Sequence, residues 1–269
     1  MGKNVKTLTE RESQLLVALT KQAGRFFSVD DARSLSSDQS QVVAILHSLH
    51  RKGWVFRIER GKYLLLSLES GPSEIFSLSP FAYLETWHNP YYLAFSTALQ
   101  VHGILEQSGK TLYIATASRG NALQMGDWTL RCIALGQNFA GWEEQTVFGY
   151  HLNTSTLEKT IVDCLVFPRY AGGLLSVCRA MFYRGQRLRV CQLVEFALRQ
   201  GSGSLRKRLG FLLEFYSLGT SQELDQLRQG MTAGYVSLDR LLPKRGNSVS
   251  RWHVVVNVPV SKLRHLEVL

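Results

Sequence analysis

The stretch Asp38–Leu66, DQSQVVAILHSLHRKGWVFRIERGKYLLL, changes its hydrophobic period midway, and that change decides the fold of the first part of the chain. Val42, Ile45, Leu46 and Leu49 fall at the i, i+3, i+4, i+7 spacing of one helical face, and Gly53 after Arg51 and Lys52 is a helix stop. Trp54-Val-Phe-Arg-Ile58 and Tyr63-Leu-Leu-Leu66 are then β-rich runs on either side of Glu59-Arg-Gly-Lys62, the pattern of a hairpin. The helix is predicted to begin near Asp38, capped either by Ser36 with Gln39 or by Asp38 with Gln41.

Upstream, Thr7-Leu-Thr-Glu10 and Thr9-Glu-Arg-Glu12 both fit a capping box, so a first helix should start near Thr9. Leu15, Leu16 and Leu19 supply its apolar stripe, and Gly24 is placed to end it. Ser28-Val-Asp-Asp31 opens a short second helix with Ala32 and Leu35 inward, and a serine-rich turn at Ser34–Ser37 separates it from the third. Three short helices and a hairpin form the order of a winged helix-turn-helix, whose third helix enters the major groove. The outward residues here are Gln39, Ser40, Gln41, Ala44, His47, Ser48 and Arg51. A carboxamide such as Gln39 or Gln41 presents a donor and an acceptor side by side to a base edge. Arg57, Arg60 and Lys62 decorate the hairpin, where they can clamp phosphates or enter a minor groove. The same pattern also serves protein-interaction modules, and the cationic hairpin favours DNA.

The chain of 269 residues, 45% hydrophobic and 19% charged, is long enough for two domains with real cores. Its net charge of +10 is unevenly spread: residues 1–66 balance to +5, 67–168 to −5 and 169–269 to +10. Two basic ends around an acidic middle suit a polyanion or a solvated basic face. The apolar run Ile161–Phe167 is broken by Asp163 and too short to span a bilayer, and Met1–Thr9 lacks an apolar signal core, so a cytoplasmic protein is expected. Cys132, Cys164, Cys178 and Cys191 include no CxxC pair, which disfavours zinc ribbons and disulfide frameworks and suggests reduced, buried thiols.

Ser67–Ser73 is rich in Gly, Pro and Ser, giving a division into residues 1–66, a linker at 67–79 and a mixed α/β domain at 80–269. In the last, Pro80–Trp87 and Tyr91–Leu105 read as helices, and Thr111–Ala117, Trp128–Leu135 and Val147–Leu152 as strands. The aromatic groups around Tyr91–Phe95 suit a core or line a ligand pocket. Ser155-Thr-Leu-Glu158 is a capping box opening a helix that stops before Pro168, with Glu158 as cap and Lys159 as surface charge. Helices follow Gly172-Gly173, across Cys191–Arg199 and across Leu205–Tyr216, and Trp252–Val258 is expected as a late strand of the central sheet. Gly201-Ser-Gly-Ser204 before Arg206-Lys-Arg208 is either an anion site or a linker ahead of a solvent-facing basic turn.

Catalytic signatures are missing: no GxxxxGK[ST], GxSxG or HExxH occurs. Asp127 has no Glu-x-Lys to complete a nuclease core, and Glu143-Glu144 lack identifiable helpers for a cation. A non-enzyme without metal or cofactor is the expectation.

Phe27-Ser-Val-Asp-Asp-Ala32, Lys52-Gly-Trp54 and Arg60-Gly-Lys-Tyr63 resemble the winged-helix domain of AbiE-type abortive-infection antitoxins. Tyr91-Tyr-Leu-Ala-Phe-Ser-Thr-Ala-Leu-Gln-Val-His-Gly103, Ser155–Leu165 with Pro168 and Gly172-Gly173, Arg208–Glu214 and Trp252–Asn257 are similar to those antitoxins' C-terminal domain. The resemblance implies a bacterial phage-defence operon whose antitoxin represses its own transcription at inverted repeats. It also implies a C-terminal domain that counteracts a nucleotidyltransferase-like toxin from the adjacent gene, often without a stable complex. On this reading Asp38–Lys52 reads the operator, and Arg179, Arg184, Arg187, Arg189, Arg206, Lys207 and Arg208 extend a nucleic-acid or toxin contact. The alternatives are a ligand-sensing DNA-binding regulator with no toxin, and an enzyme that modifies the toxin.

Overall fold

The computed structural model describes residues 7–22, 25–66, 79–87, 89–106, 109–118, 120 and 122–266. The expected linker, apart from its last residue, and the Gly24 helix stop lie outside the described residues. The chain divides into two compact units, residues 1–88 with 122–130, and residues 89–121 with 131–269. Pro80–Trp87, expected to open the second domain, thus belongs to the first unit.

In the first unit, α1 (Glu10–Gln22) starts at the Thr9 box: Thr9 N–H donates to Glu12 Oε2 at 2.6 Å and Glu12 N–H to Thr9 Oγ1 at 3.3 Å. A strand that sequence periodicity does not reveal, β1 (Phe26–Ser28), leads into α2 (Val29–Ser34), where Ser28 and Asp31 form the expected capping box. The third helix, α3, spans Val42–Lys52 and therefore starts four residues later than expected. Residues 39–41 are a turn, with Gln41 N–H donating to Asp38 O and the Ser40 hydroxyl to Asp38 Oδ1. Such short side chains compete with the helix for backbone groups, so they sit in the turn before it. Val42, Ile45, Leu46 and Leu49 are buried, as the period requires, against Leu15, Leu19, Phe27 and Ala32. Gly53 ends the helix at φ +81°, a conformation that costs glycine nothing.

Strands β2 (Val55–Glu59) and β3 (Lys62–Leu65) pair antiparallel, and β1 adds to β3, giving the order β1-β3-β2. A bulge between Arg57 and Glu59 twists β2 just before the turn at Gly61. Helix α4 (Pro80–Glu85) buries Phe81, Tyr83 and Leu84.

The remaining elements begin with β4 (Tyr91–Leu93), α5 (Phe95–Val101), β5 (Thr111–Thr116), β6 (Leu123–Met125) and β7 (Trp128–Ala134). The stretch expected as one helix from Tyr91 is therefore a strand and a short helix. The hairpin β8 (Trp142–Val147) and β9 (Tyr150–Ser155) replaces the single strand expected at Val147–Leu152. These strands order as β6-β7-β5-β4-β9-β8, with β4 parallel to β9 and antiparallel to β5. Helices α6 (Leu157–Val166), α7 (Leu174–Arg184), α8 (Val190–Arg199), α9 (Gly203–Phe215) and α10 (Ser221–Arg228) follow. A separate small sheet, β10 (Val236–Ser237), β11 (Asn247–Val249) and β12 (Val254–Val256), precedes α11 (Val260–Arg264). The late β-branched run thus belongs to this sheet, not the central one. Its neighbour Trp252 is fully buried against Gly210 of α9, where any Cβ would meet Trp252 Cζ3 at 2.0 Å.

Tyr92 and Phe95 lie in the core of the second unit, and Tyr91 is buried as well, so the aromatic groups of that segment pack as core. The four thiols are free; Cys164 and Cys178 are buried, Cys132 is half-buried, and Cys191 is exposed, contrary to expectation. Among the described residues no helix is long and apolar enough to cross a membrane.

Candidate nucleic-acid interface

The outward side of α3 and the turn before it exposes Gln39, Ser40, Gln41, Ala44, His47 and Arg51, while Ser48 is half-buried beneath them. The helix itself carries hydrogen-bonding groups and an arginine but no carboxylate; the nearest one, Asp38 in the turn, accepts from Ser40 and lies 3.6 Å from Arg11. The helix is fixed at its far end by Lys52, whose Nζ donates to Glu12 Oε2 at 2.5 Å and to Thr7 O at 2.9 Å. Burial of Glu12 opposes its ionisation, but the bonds from Lys52, Ser48 and Thr9 outweigh it and hold its pKa at about 2. The orientation of the exposed face is therefore set by an internal ion pair.

Arg57 and Arg60 are exposed on the hairpin. Lys62 differs: it is half-buried, its Nζ lies 2.8 Å from Glu59 Oε1, and it sits over the Tyr83 and Trp87 rings at 5.9 and 5.7 Å. It is a brace between hairpin and α4 rather than a free cation. Tyr83 and Trp87, stacked at 6.2 Å, escape a reading for nucleic-acid contacts; two aromatic residues four apart are the signal that finds them.

The basic residues singled out in the second unit differ in exposure and in partners. Arg187 is exposed, and Arg184 Nη2 donates to His102 O. Arg189 is exposed but pairs with the buried Glu158 through both its backbone N–H, at 2.9 Å, and its guanidinium. Arg179 is half-buried. The Arg206–Arg208 turn was expected to face solvent, and the structure overturns this. Lys207, 1% exposed, donates to Thr232 Oγ1 and Gly234 O; Arg208, 7% exposed, donates to Ser237 O and Ser204 O; Arg206 donates to Gln229 O and Gly230 O. Burial, with Arg240 nearby, lowers Arg208 to a pKa of about 10. These three side chains tie residues 229–237 to α9. The preceding Ser202 hydroxyl accepts from Leu205 N–H, so it is spent as the α9 cap.

The Ser155–Leu165 segment departs from the expected capping box. Thr156, not Ser155, caps α6 by accepting from Lys159 N–H, and Ser155 instead donates to Leu93 O and meets Thr160 Oγ1 at 2.7 Å. Lys159 is buried, not a surface charge: its Nζ donates to Asp163 Oδ1 at 2.5 Å, and the Tyr92 hydroxyl donates to Asp163 Oδ2 at 3.1 Å. Burial raises Asp163 to about 6 against the pull of Lys159 and Tyr92. The half-buried His102 donates through Nε2 to Ser155 O at 2.8 Å, since a carbonyl only accepts, and desolvation lowers its pKa. Together these bonds pin β4, β9, α5 and α6 to one another.

The structure is similar to the crystal structure of the RV2827C protein from Mycobacterium tuberculosis, with a TM-score of 0.66 and 13% identity, covering 96% of this chain and 95% of that one. At that identity the likeness concerns the fold. No curated protein matches the sequence. The segment from the middle of α1 to the end of the hairpin, residues 14–66, matches the family described as "Transcriptional regulator, AbiEi antitoxin".

Proposed function

We propose that this chain is an autorepressing antitoxin of a toxin–antitoxin operon. Residues 1–66 form a winged helix-turn-helix in the order α1-β1-α2-α3-β2-β3, and it binds inverted-repeat operator DNA. Gln39, Ser40, Gln41, His47 and Arg51 face base edges, and Arg57 and Arg60 reach phosphates from the wing. Lys62 contributes by holding the wing, and the linker at 67–79 leads to α4, which belongs to the first unit, and then to the second unit. That larger part counteracts a nucleotidyltransferase-like toxin from the adjacent gene in the cytoplasm, without catalysis of its own.

The observation that carries the DNA half is the carboxylate-free, exposed face of α3 beside two exposed wing arginines, all inside the segment matched by the regulator family. Fluorescence anisotropy of the full chain on a duplex from its own upstream region tests it. Binding is expected to exceed that to a scrambled duplex and to weaken steeply with salt. Equal binding to both duplexes contradicts the repressor. Co-expression with the neighbouring gene from an unrelated promoter tests the antitoxin half, and failure to restore growth sinks it independently of DNA binding.

A further inference from the structure

Within the second unit, the end of α7, the end of α9 and α11 line an open cavity of about 420 Å3. Its apolar surface comes from Met181, Phe182, Phe215 and Leu218; Arg264 and Gln186 bring side-chain polarity, and among the described residues no Asp or Glu lines it. That volume falls in the range of small-ligand sites, as does the combination of aromatic walls with a few polar groups.

The backbone that carries the cation is held in place. Leu263 is fully buried and its carbonyl accepts from the Tyr216 hydroxyl at 2.8 Å, so the next residue, Arg264, is fixed at the rim. Its guanidinium lies over the Phe215 ring at 6.0 Å, a stacking that leaves the edge of the fork open. Ser217, at the lip, has φ +54°, a strained conformation for a residue with a Cβ. Phe182 remains half-exposed although it packs edge-on to Tyr216 at 6.3 Å, so part of the aromatic wall has no protein cover.

One guanidinium with no competing carboxylate matches a single negative charge, and its planar fork matches a carboxylate. A nucleotide's phosphate carries more charge than one arginine neutralises, and no other Lys or Arg among the described residues lines the cavity. We propose that this cavity binds a small amphipathic monocarboxylate, its carboxylate on Arg264 and its apolar or aromatic body against Met181, Phe182 and Leu218.

Isothermal titration of the full chain with 4-phenylbutyrate, its primary amide and AMP tests the assignment. Saturable binding of 4-phenylbutyrate below about 10 mM is expected, with the amide at least about tenfold weaker. Arg264→Gln, at an exposed position that spares the core, should remove most of that preference. No binding of the carboxylate in that range, equal binding by wild type and Arg264→Gln, or preference for AMP would each overturn the proposal.

Discussion

The Tyr83 hydroxyl donates to Glu59 Oε1 at 3.0 Å, the same oxygen that Lys62 Nζ approaches at 2.8 Å. The ring also packs on Phe26 of β1 at 5.5 Å, so one side chain from α4 touches both ends of the small sheet. A hairpin on its own is marginal in water, and a third strand plus a packed helix gives it a face to bury. The first unit therefore includes α4 for a physical reason: the hairpin's inner edge is finished by it.

From this follows the first prediction. Tyr83→Phe removes a hydrogen bond to a charged, part-exposed acceptor and should cost about 1 kcal/mol, read by thermal unfolding. Tyr83→Ala also empties a buried ring site and should cost about 3 kcal/mol or more. Both should weaken binding to the upstream duplex more than Lys62→Met does, if bracing rather than phosphate contact is the role of this cluster. A larger loss from Lys62→Met would restore that lysine to direct contact.

Glu12 gives the second, and its sign is fixed by the direction of its shift. Its folded pKa, about 2, lies below the ordinary 4.5, so its contribution is fully present above about pH 4.5 and fades as pH falls toward 2. Glu12→Gln should lose about 2 kcal/mol at neutral pH, measured by urea unfolding, and the gap to wild type should close on acidification. A gap that stays constant as the solution is acidified to about pH 3 would show that the carboxylate's charge is not what matters.

How far the sequence could be read depends on where each residue's partners lie. Val42, Ile45, Leu46 and Leu49 were legible because their burial follows from a local period. Tyr91–Leu93 was not, since all three residues are buried and a short strand covered on both faces has no alternation to betray it. Lys159 and Asp163 are an ordinary i, i+4 pair in the sequence; what makes them internal is Tyr92, 71 residues before Asp163. Arg206, Lys207 and Arg208 misled for a similar reason, because backbone carbonyls in 229–237 are acceptors that no residue pattern advertises. On the α3 face the residue types were readable, but the turn that displaces Gln39 and Gln41 from the helix was not.

The buried Lys159–Asp163 pair supports the third prediction. Asp163→Asn leaves an ammonium unpaired at 3% side-chain exposure and should destabilise the fold by about 3–5 kcal/mol. Lys159→Met with Asp163→Leu should cost much less than either single change, because neither charge then remains to be solvated. A double-mutant cycle in urea measures this, and additive losses would contradict the pairing.

Gly210 offers a fourth, on packing alone. A Cβ there meets the six-membered ring of Trp252, which is fully buried and donates through Nε1 to Glu214. Gly210→Ala should gain helix propensity worth about 1 kcal/mol, yet overpacking should reverse the sign and leave a net loss of about 1–2 kcal/mol. Pairing it with Trp252→Leu should recover part of that loss, whereas a stabilised single variant would mean the indole moves aside freely.

The last prediction separates the two basic ends of the chain. Arg57→Ala with Arg60→Ala removes two exposed cations, so the slope of log K against log salt should fall by about 0.9 for each phosphate that is no longer neutralised. Lys207→Met removes one charge as well, but its ammonium is committed to Thr232 and Gly234 inside the second unit. It should lower stability by about 2 kcal/mol and leave that slope unchanged. Anisotropy titrations across a series of salt concentrations, with unfolding curves on the same samples, distinguish the cases. A slope that drops with Lys207→Met in a still-folded protein would mean that residue reaches phosphate after all, and that the segment tied by it opens when DNA binds.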